Sequence, residues 1–92
     1  MARYELTMTG QFRRDLKLAK KRGLDMELLF DVLDMLVEGE PLPLQYREHM
    51  LTGNYKGFYE CHIQPDWLLI YDRSEVLRII ALQRTGTHSD LF

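Results

Sequence analysis

Ninety-two residues give room for one hydrophobic core and none for a separate regulatory or cofactor domain, so a single domain spanning 1–92 is expected. Hydrophobic residues at 46% and charged residues at 28% are the balance of an ordinary globule and exclude a wholly disordered chain. No apolar stretch is long enough for a membrane span and no secretory leader opens the chain, so the expected location is the cytoplasm, with no membrane partner.

Residues 3–7 alternate polar and apolar side chains as a first strand does. Thr9 is a helix N-cap residue standing just before Phe12, Leu16 and Ala19, which recur at helical spacing. Gly23 tolerates the left-handed conformation that ends a helix, so the first helix is read over 10–22. Its Arg13, Arg14, Lys17, Lys20, Lys21 and Arg22 are half of the 12 basic residues. Asp25, Glu27, Asp31, Asp34, Glu38 and Glu40 follow, with no further Lys or Arg until Arg47. The net charge of −2 therefore hides a basic first helix and an acidic second one. A basic face is the footprint of a phosphate backbone or of an acidic partner, and equally of a plain solvated helix.

Asp25 can cap a second helix in which Leu28, Leu29, Val32, Leu33, Leu36 and Val37 form a broad apolar stripe, closed by Gly39 and then by Pro41 and Pro43. Met26 and Met35 read as core filler. The short link at Gly23 makes the two helices an antiparallel hairpin. Residues 41–56 are irregular and carry His49. Three strands are then predicted at 57–64, 67–72 and 76–83, linked by turn signals at Pro65-Asp66 and Arg73-Ser74-Glu75. The order implies an α+β sandwich: an N-terminal strand, a helix hairpin covering one face of the sheet, and an antiparallel three-stranded meander whose other face is at least partly open.

Cys61 is the only cysteine, which excludes an intrachain disulfide and a cysteine-rich zinc site, and its apolar strand context reads as a buried structural thiol. The chemistry-bearing side chains gather in the second half of the chain: His49, His62 and His88, with Asp66, Trp67 and Arg84. Three histidines and a carboxylate have the right composition for a metal site, but their spacing matches no compact ligand motif. They suit RNA cleavage without a metal better, because the substrate's own 2′-OH is already placed to attack the adjacent phosphorus. Such a reaction needs a base, an acid and a cation. Histidine serves both proton-transfer roles near neutral pH. Arg84, Lys56 and Arg47 are the candidate cations, an arginine fork being best matched to two phosphate oxygens. Trp67, Tyr55, Phe58 and Phe92 are aromatic surfaces on which unpaired bases could stack, although Trp67 reads equally well as a core anchor.

These residues resemble the RelE/ParE superfamily of toxin–antitoxin toxins, and within it the YafQ-type messenger-RNA interferases. The resemblance runs through nearly the whole chain. It is most specific over Tyr59-Glu60-Cys61-His62-Ile63-Gln64-Pro65-Asp66-Trp67-Leu68-Leu69-Ile70-Tyr71 and Arg84-Thr85-Gly86-Thr87-His88-Ser89-Asp90-Leu91-Phe92. Pro41-Leu42-Pro43-Leu44 and Asn54-Tyr55-Lys56-Gly57 also match, and Lys20-Lys21-Arg22 matches in residue class. By resemblance, His88 is the leading general acid or base, His49 and His62 assist proton transfer or hold the phosphate, and Asp66 orients a histidine or contacts RNA. Arg84 would stabilise the transition-state charge, and Trp67 and Phe92 would help to seat bases.

The resemblance further implies a message presented in the ribosomal A site and a cognate, DinJ-like antitoxin, with DNA reached only through that antitoxin. No cofactor and no metal is expected. It also gives the basic first helix a use, as a contact for ribosomal RNA or for an acidic antitoxin segment. The rival readings are a non-enzymatic gyrase-binding toxin of the same fold, a small metal-dependent hydrolase, and a pure binding module.

Overall fold

In the computed structural model, which describes residues 2–92, the cap residues start and stop the helices where their chemistry requires. The Thr9 hydroxyl accepts from the Phe12 amide and opens α1, Gly10–Lys21. The Asp25 carboxylate accepts from the Glu27 amide and opens α2, Met26–Glu38. Gly39, at φ +73°, ends α2 in the left-handed region where a side chain would be strained. Leu29, Val32, Leu33 and Leu36 are the buried stripe of α2. Leu28, Met26 and Met35 flank it, half-buried against the core.

A five-stranded sheet carries this hairpin. Its strands are β1 (Glu5–Met8), β2 (His49–Met50), β3 (Tyr59–Gln64), β4 (Trp67–Ser74) and β5 (Ile79–Gly86), in the spatial order β1-β5-β4-β3-β2. β1 runs parallel to β5 at one edge, and the remaining pairs are antiparallel. Side chains alternate across each strand, so Cys61, Ile63, Trp67, Leu69, Tyr71, Ile80 and Leu82 pack with the helices in the main core. Leu68 and Ile70 point the other way and form a smaller cluster with Leu91, Leu51, Tyr55 and Phe58. That face is thus partly covered, by residues 51–58 and by a last short helix, α3 (His88–Leu91).

The strand boundaries differ from the sequence reading, most at the last one. β5 begins at Ile79 rather than at residue 76, because Ser74 accepts from the Leu77 amide and Arg78 takes φ +56°. That turn leaves Val76 and Leu77 exposed, although their side chains read as strand. The irregular segment also hides β2, a two-residue edge strand in which His49 pairs with Glu60. Cys61 is fully buried, and burial pushes its thiol up, as fits a structural residue. Among the described residues no helix is long and apolar enough to cross a membrane.

Candidate active site

β-strand alternation places Glu60, His62 and Gln64 on the face of β3 opposite Cys61 and Ile63. Pairing of β2 with β3 sets His49 directly across from Glu60. α3 then brings His88 to the same place from the far end of the chain. The result is a row of three imidazoles, with His49 and His62 centred 6.4 Å apart and His62 and His88 5.7 Å apart, the latter pair edge to face.

Each end of the row has a defined hydrogen-bond partner. Asp66, in the β3–β4 turn, accepts through one oxygen from both the His88 amide, at 2.9 Å, and the His88 ring Nδ1, at 2.7 Å. Those two bonds, the amide first, hold the Asp66 carboxyl below the usual carboxylate range. With Nδ1 committed to Asp66, Nε2 is the His88 nitrogen free to exchange a proton, an arrangement in which a carboxylate fixes the tautomer and aim of an imidazole. At the other end the His49 Nδ1 donates to the Arg47 carbonyl at 2.8 Å, because a carbonyl can only accept.

α3 is held in place by its own capping box, Thr87 with Asp90, and by Arg22, whose guanidinium meets Asp90 at 2.6 and 3.2 Å. Arg22 and the Thr87 amide hold Asp90 well below the usual carboxylate range. Gly86 permits the close approach, since a Cβ there would lie 2.8 Å from the Asp90 carboxylate.

Sequence reasoning missed Glu60. It is 4% exposed, with Oε1 lying 3.4 Å from His49 Nε2 and 3.6 Å from His62 Nε2, while Oε2 has no hydrogen-bond partner in the protein. A buried carboxylate oxygen this close to two imidazoles keeps both rings aimed along the row. The period-two pattern already put Glu60 beside His62; only the unrecognised β2 kept His49 apart from them.

Two expected site residues have other work. Trp67 is 2% exposed in the helix-facing core, and its Nε1 donates to the Thr85 hydroxyl at 2.9 Å, so its ring offers no surface to a base. Arg84 does not present a free fork to phosphate: Nε and Nη2 donate to Asp15 at 2.7 and 3.3 Å, and Nη1 lies 3.4 Å from the Tyr55 hydroxyl. Asp15 also accepts from the Thr85 amide, so this pair pins α1 to β5 and holds Arg84 more firmly charged than a free arginine. Arg22 is likewise engaged by Asp90, leaving Arg13, Arg14, Lys17, Lys20 and Lys21 as the exposed basic face of α1. Phe92 is 63% exposed and meets Tyr55 edge to face at 5.5 Å, beside the Arg84 group rather than in the imidazole row. Lys56 is exposed after the second 3-10 turn, Gly53–Tyr55.

The Asp66 contact carries a pH dependence of definite sign. A carboxyl depressed in the folded state stabilises above its unfolded value of about 3.9, and loses that contribution as pH falls through its lower folded value. The His88 amide resonance is therefore expected to shift as pH falls below about 4, and to lose this transition in Asp66→Ala. An unchanged titration in the variant would show that another acid drives it.

The family model for the bacterial toxin of the type II toxin–antitoxin system, YafQ, matches residues 4–92. The chain is 39% identical over 93 residues to the mRNA interferase toxin YafQ of Escherichia coli strain K12, spanning 100% of this chain and 99% of that one. Its structure superposes on the E. coli DinJ–YafQ toxin–antitoxin complex with a TM-score of 0.89 at 38% identity, over 98% of each chain. It superposes equally well on a metal-bound toxin from Helicobacter pylori, with a TM-score of 0.90 at 38% identity over 100% of both chains. In this chain, no three His, Cys, Asp or Glu side chains among the described residues form a group that could hold a metal ion.

Proposed function

Because the chain belongs to the YafQ family of bacterial toxins of type II toxin–antitoxin systems, we propose that it is an mRNA interferase, an endoribonuclease that cuts messages presented in the ribosomal A site. The observation that carries this reading is the row of three imidazoles ending on the His88–Asp66 hydrogen bond. The attacking group is the substrate's 2′-OH, so the protein supplies proton transfer and charge stabilisation alone. His88, oriented by Asp66, exchanges one proton through Nε2. His62 or His49, steadied by Glu60, exchanges the other. Arg47 beside the row and the imidazoles in their protonated forms offset charge on the phosphate, with Lys56 as a further cation at the approach. Phe92 and Tyr55 stack a base at the rim.

The partner is a cognate antitoxin of the DinJ kind, as in the E. coli complex, and operator DNA is reached through it. The exposed basic face of α1 is suited to ribosomal RNA or to an acidic antitoxin segment.

The test is the chemistry of the cut. Attack by the 2′-OH leaves a 2′,3′-cyclic phosphate and a 5′-hydroxyl, so a single 2′-O-methyl group at the cut nucleotide of a translated message is expected to abolish cleavage there. Metal-activated water does not use the 2′-OH, and cutting that survives the methyl group would replace this mechanism with metal-dependent hydrolysis.

A further inference from the structure

His88 is carried by a helix of four residues, which is too short to hold its own shape. Its position is therefore set by what it is tied to. At its C-terminal end Leu91 is buried beside Leu68 and Ile70, and the Tyr55 hydroxyl donates to the Leu91 carbonyl at 3.2 Å. An apolar seat sets the depth of α3 on the sheet without fixing its rotation, because hydrophobic contact is non-directional. We infer that Arg22 is a positioning residue for the reaction, one that closes this rotation through Asp90 and so fixes the aim of His88. The inference rests on the interferase reading and extends it to the end of α1.

The contacts at the N-terminal end of α3 are directional. The Arg22 guanidinium donates to both Asp90 oxygens, Nη1 to Oδ2 at 2.6 Å and Nη2 to Oδ1 at 3.2 Å. A two-point fork of this kind fixes orientation as well as distance. The same Oδ2 accepts from the Thr87 amide at 2.9 Å, so one oxygen joins α1 to the residue preceding His88. The His88 amide and ring then meet Asp66, and the ring stands edge to face against His62. Arg22 and Asp90 both line a cavity of about 230 Å³ between α1, β5 and α3. On that side an ion pair, rather than close packing, joins the two helices. Arg22 thus reaches the imidazole row only through Asp90.

The experiment compares the wild type with Arg22→Gln, Arg22→Lys and Asp90→Asn as full chains, by two measurements. The first is cleavage of a message on programmed ribosomes. Arg22→Gln and Asp90→Asn are expected to lower kcat about 10-fold at unchanged KM, since a misplacement of about 1 Å can cost as much as roughly 10²-fold. Arg22→Lys keeps the charge without the planar fork and is expected to recover part of the loss. The pair lies at the surface, so all three variants should fold with a Tm near that of the wild type.

The second measurement is the low-pH transition of the residue 88 amide in the free protein. A loosened α3 weakens the bonds from His88 that hold the Asp66 carboxyl down, so the transition is expected to move to higher pH in Arg22→Gln and in Asp90→Asn. Asp90→Asn makes the sign decisive, because the Asp90 charge itself raises the Asp66 carboxyl and its loss alone would move the transition to lower pH. A raised KM at unchanged kcat, with the Asp90→Asn transition unmoved or lowered, would overturn the inference and assign Arg22 to binding RNA. Full wild-type kcat in Asp90→Asn would overturn it as well, since the route from Arg22 to His88 would be cut without consequence. No cutting by the wild type would overturn the interferase reading, and the transition in the free protein would still decide whether Arg22 positions His88.

Discussion

His88→Ala is expected to lower message cleavage by about 10²- to 10⁴-fold, the usual contribution of one positioned acid or base, and to abolish growth arrest on induced expression. The protein should remain folded, because the His88 side chain is 54% exposed and the amide of residue 88 can still donate to Asp66. Growth curves, mapped 5′ ends and a thermal melt on the same pair of proteins separate the possibilities. Arrest and new cuts that both vanish at an unchanged Tm place His88 in the chemistry. Arrest that survives without cuts would point to a non-enzymatic toxin, and retained inhibition of DNA gyrase with His49, His62 and His88 all replaced by Ala would identify the gyrase-binding kind. The imidazole row would then have no catalytic use.

Trp67→Ala is expected to destabilise the fold by about 3–5 kcal/mol, the range for removing a large aromatic side chain from a packed core. For a chain of this size that corresponds to a fall in Tm of at least about 12 °C. The ring is a buried member of the helix-facing core, and its Nε1 donates to the Thr85 hydroxyl, which in turn donates to the Leu68 carbonyl at 2.6 Å. Trp67→Phe keeps most of the volume and loses that bond, so about 1 kcal/mol of the effect should remain. A base-stacking tryptophan would behave differently: Trp67→Ala would then impair cleavage while Tm stayed near the wild-type value. The two readouts therefore decide between the family-based role expected for this residue and the one its burial implies.

The relation between the two substitutions follows from topology. Trp67 and Asp66 are neighbours in one tight turn, yet one points into the core and the other reaches His88. Damage to the core at Trp67 would loosen the turn that carries Asp66, so activity is a clean measure of chemistry only for exposed members of the site such as His88 and Asp66.

Much of the framework was legible without coordinates because its signals are short-range. Thr9, Asp25, Gly23 and Gly39 act on backbone groups within a few residues, and the α2 stripe declares its buried face through its own period. The β3 and β4 strands were legible for the same reason, as was the burial of Cys61. Val76 and Leu77 misled because strand propensity cannot sense that a turn leaves them in solvent. The candidate site was legible only as a set of residue types: three histidines, an aspartate and an arginine of the kind that moves protons and holds phosphate.

Which of those side chains meet was decided by the tertiary structure, because contact between residues dozens of positions apart depends on strand register. Pairing of β2 with β3 joined His49 to Glu60 and so added a carboxylate that the motifs had not singled out. Seating of α3 brought His88 to Asp66 and His62. The same packing withdrew Trp67 into the core, where its Nε1 meets the Thr85 hydroxyl, and committed the half-buried Arg84 to Asp15 and the exposed Arg22 to Asp90. Residue identity, read along the chain, determined which chemistry was available; long-range pairing determined which of those residues were left free to perform it.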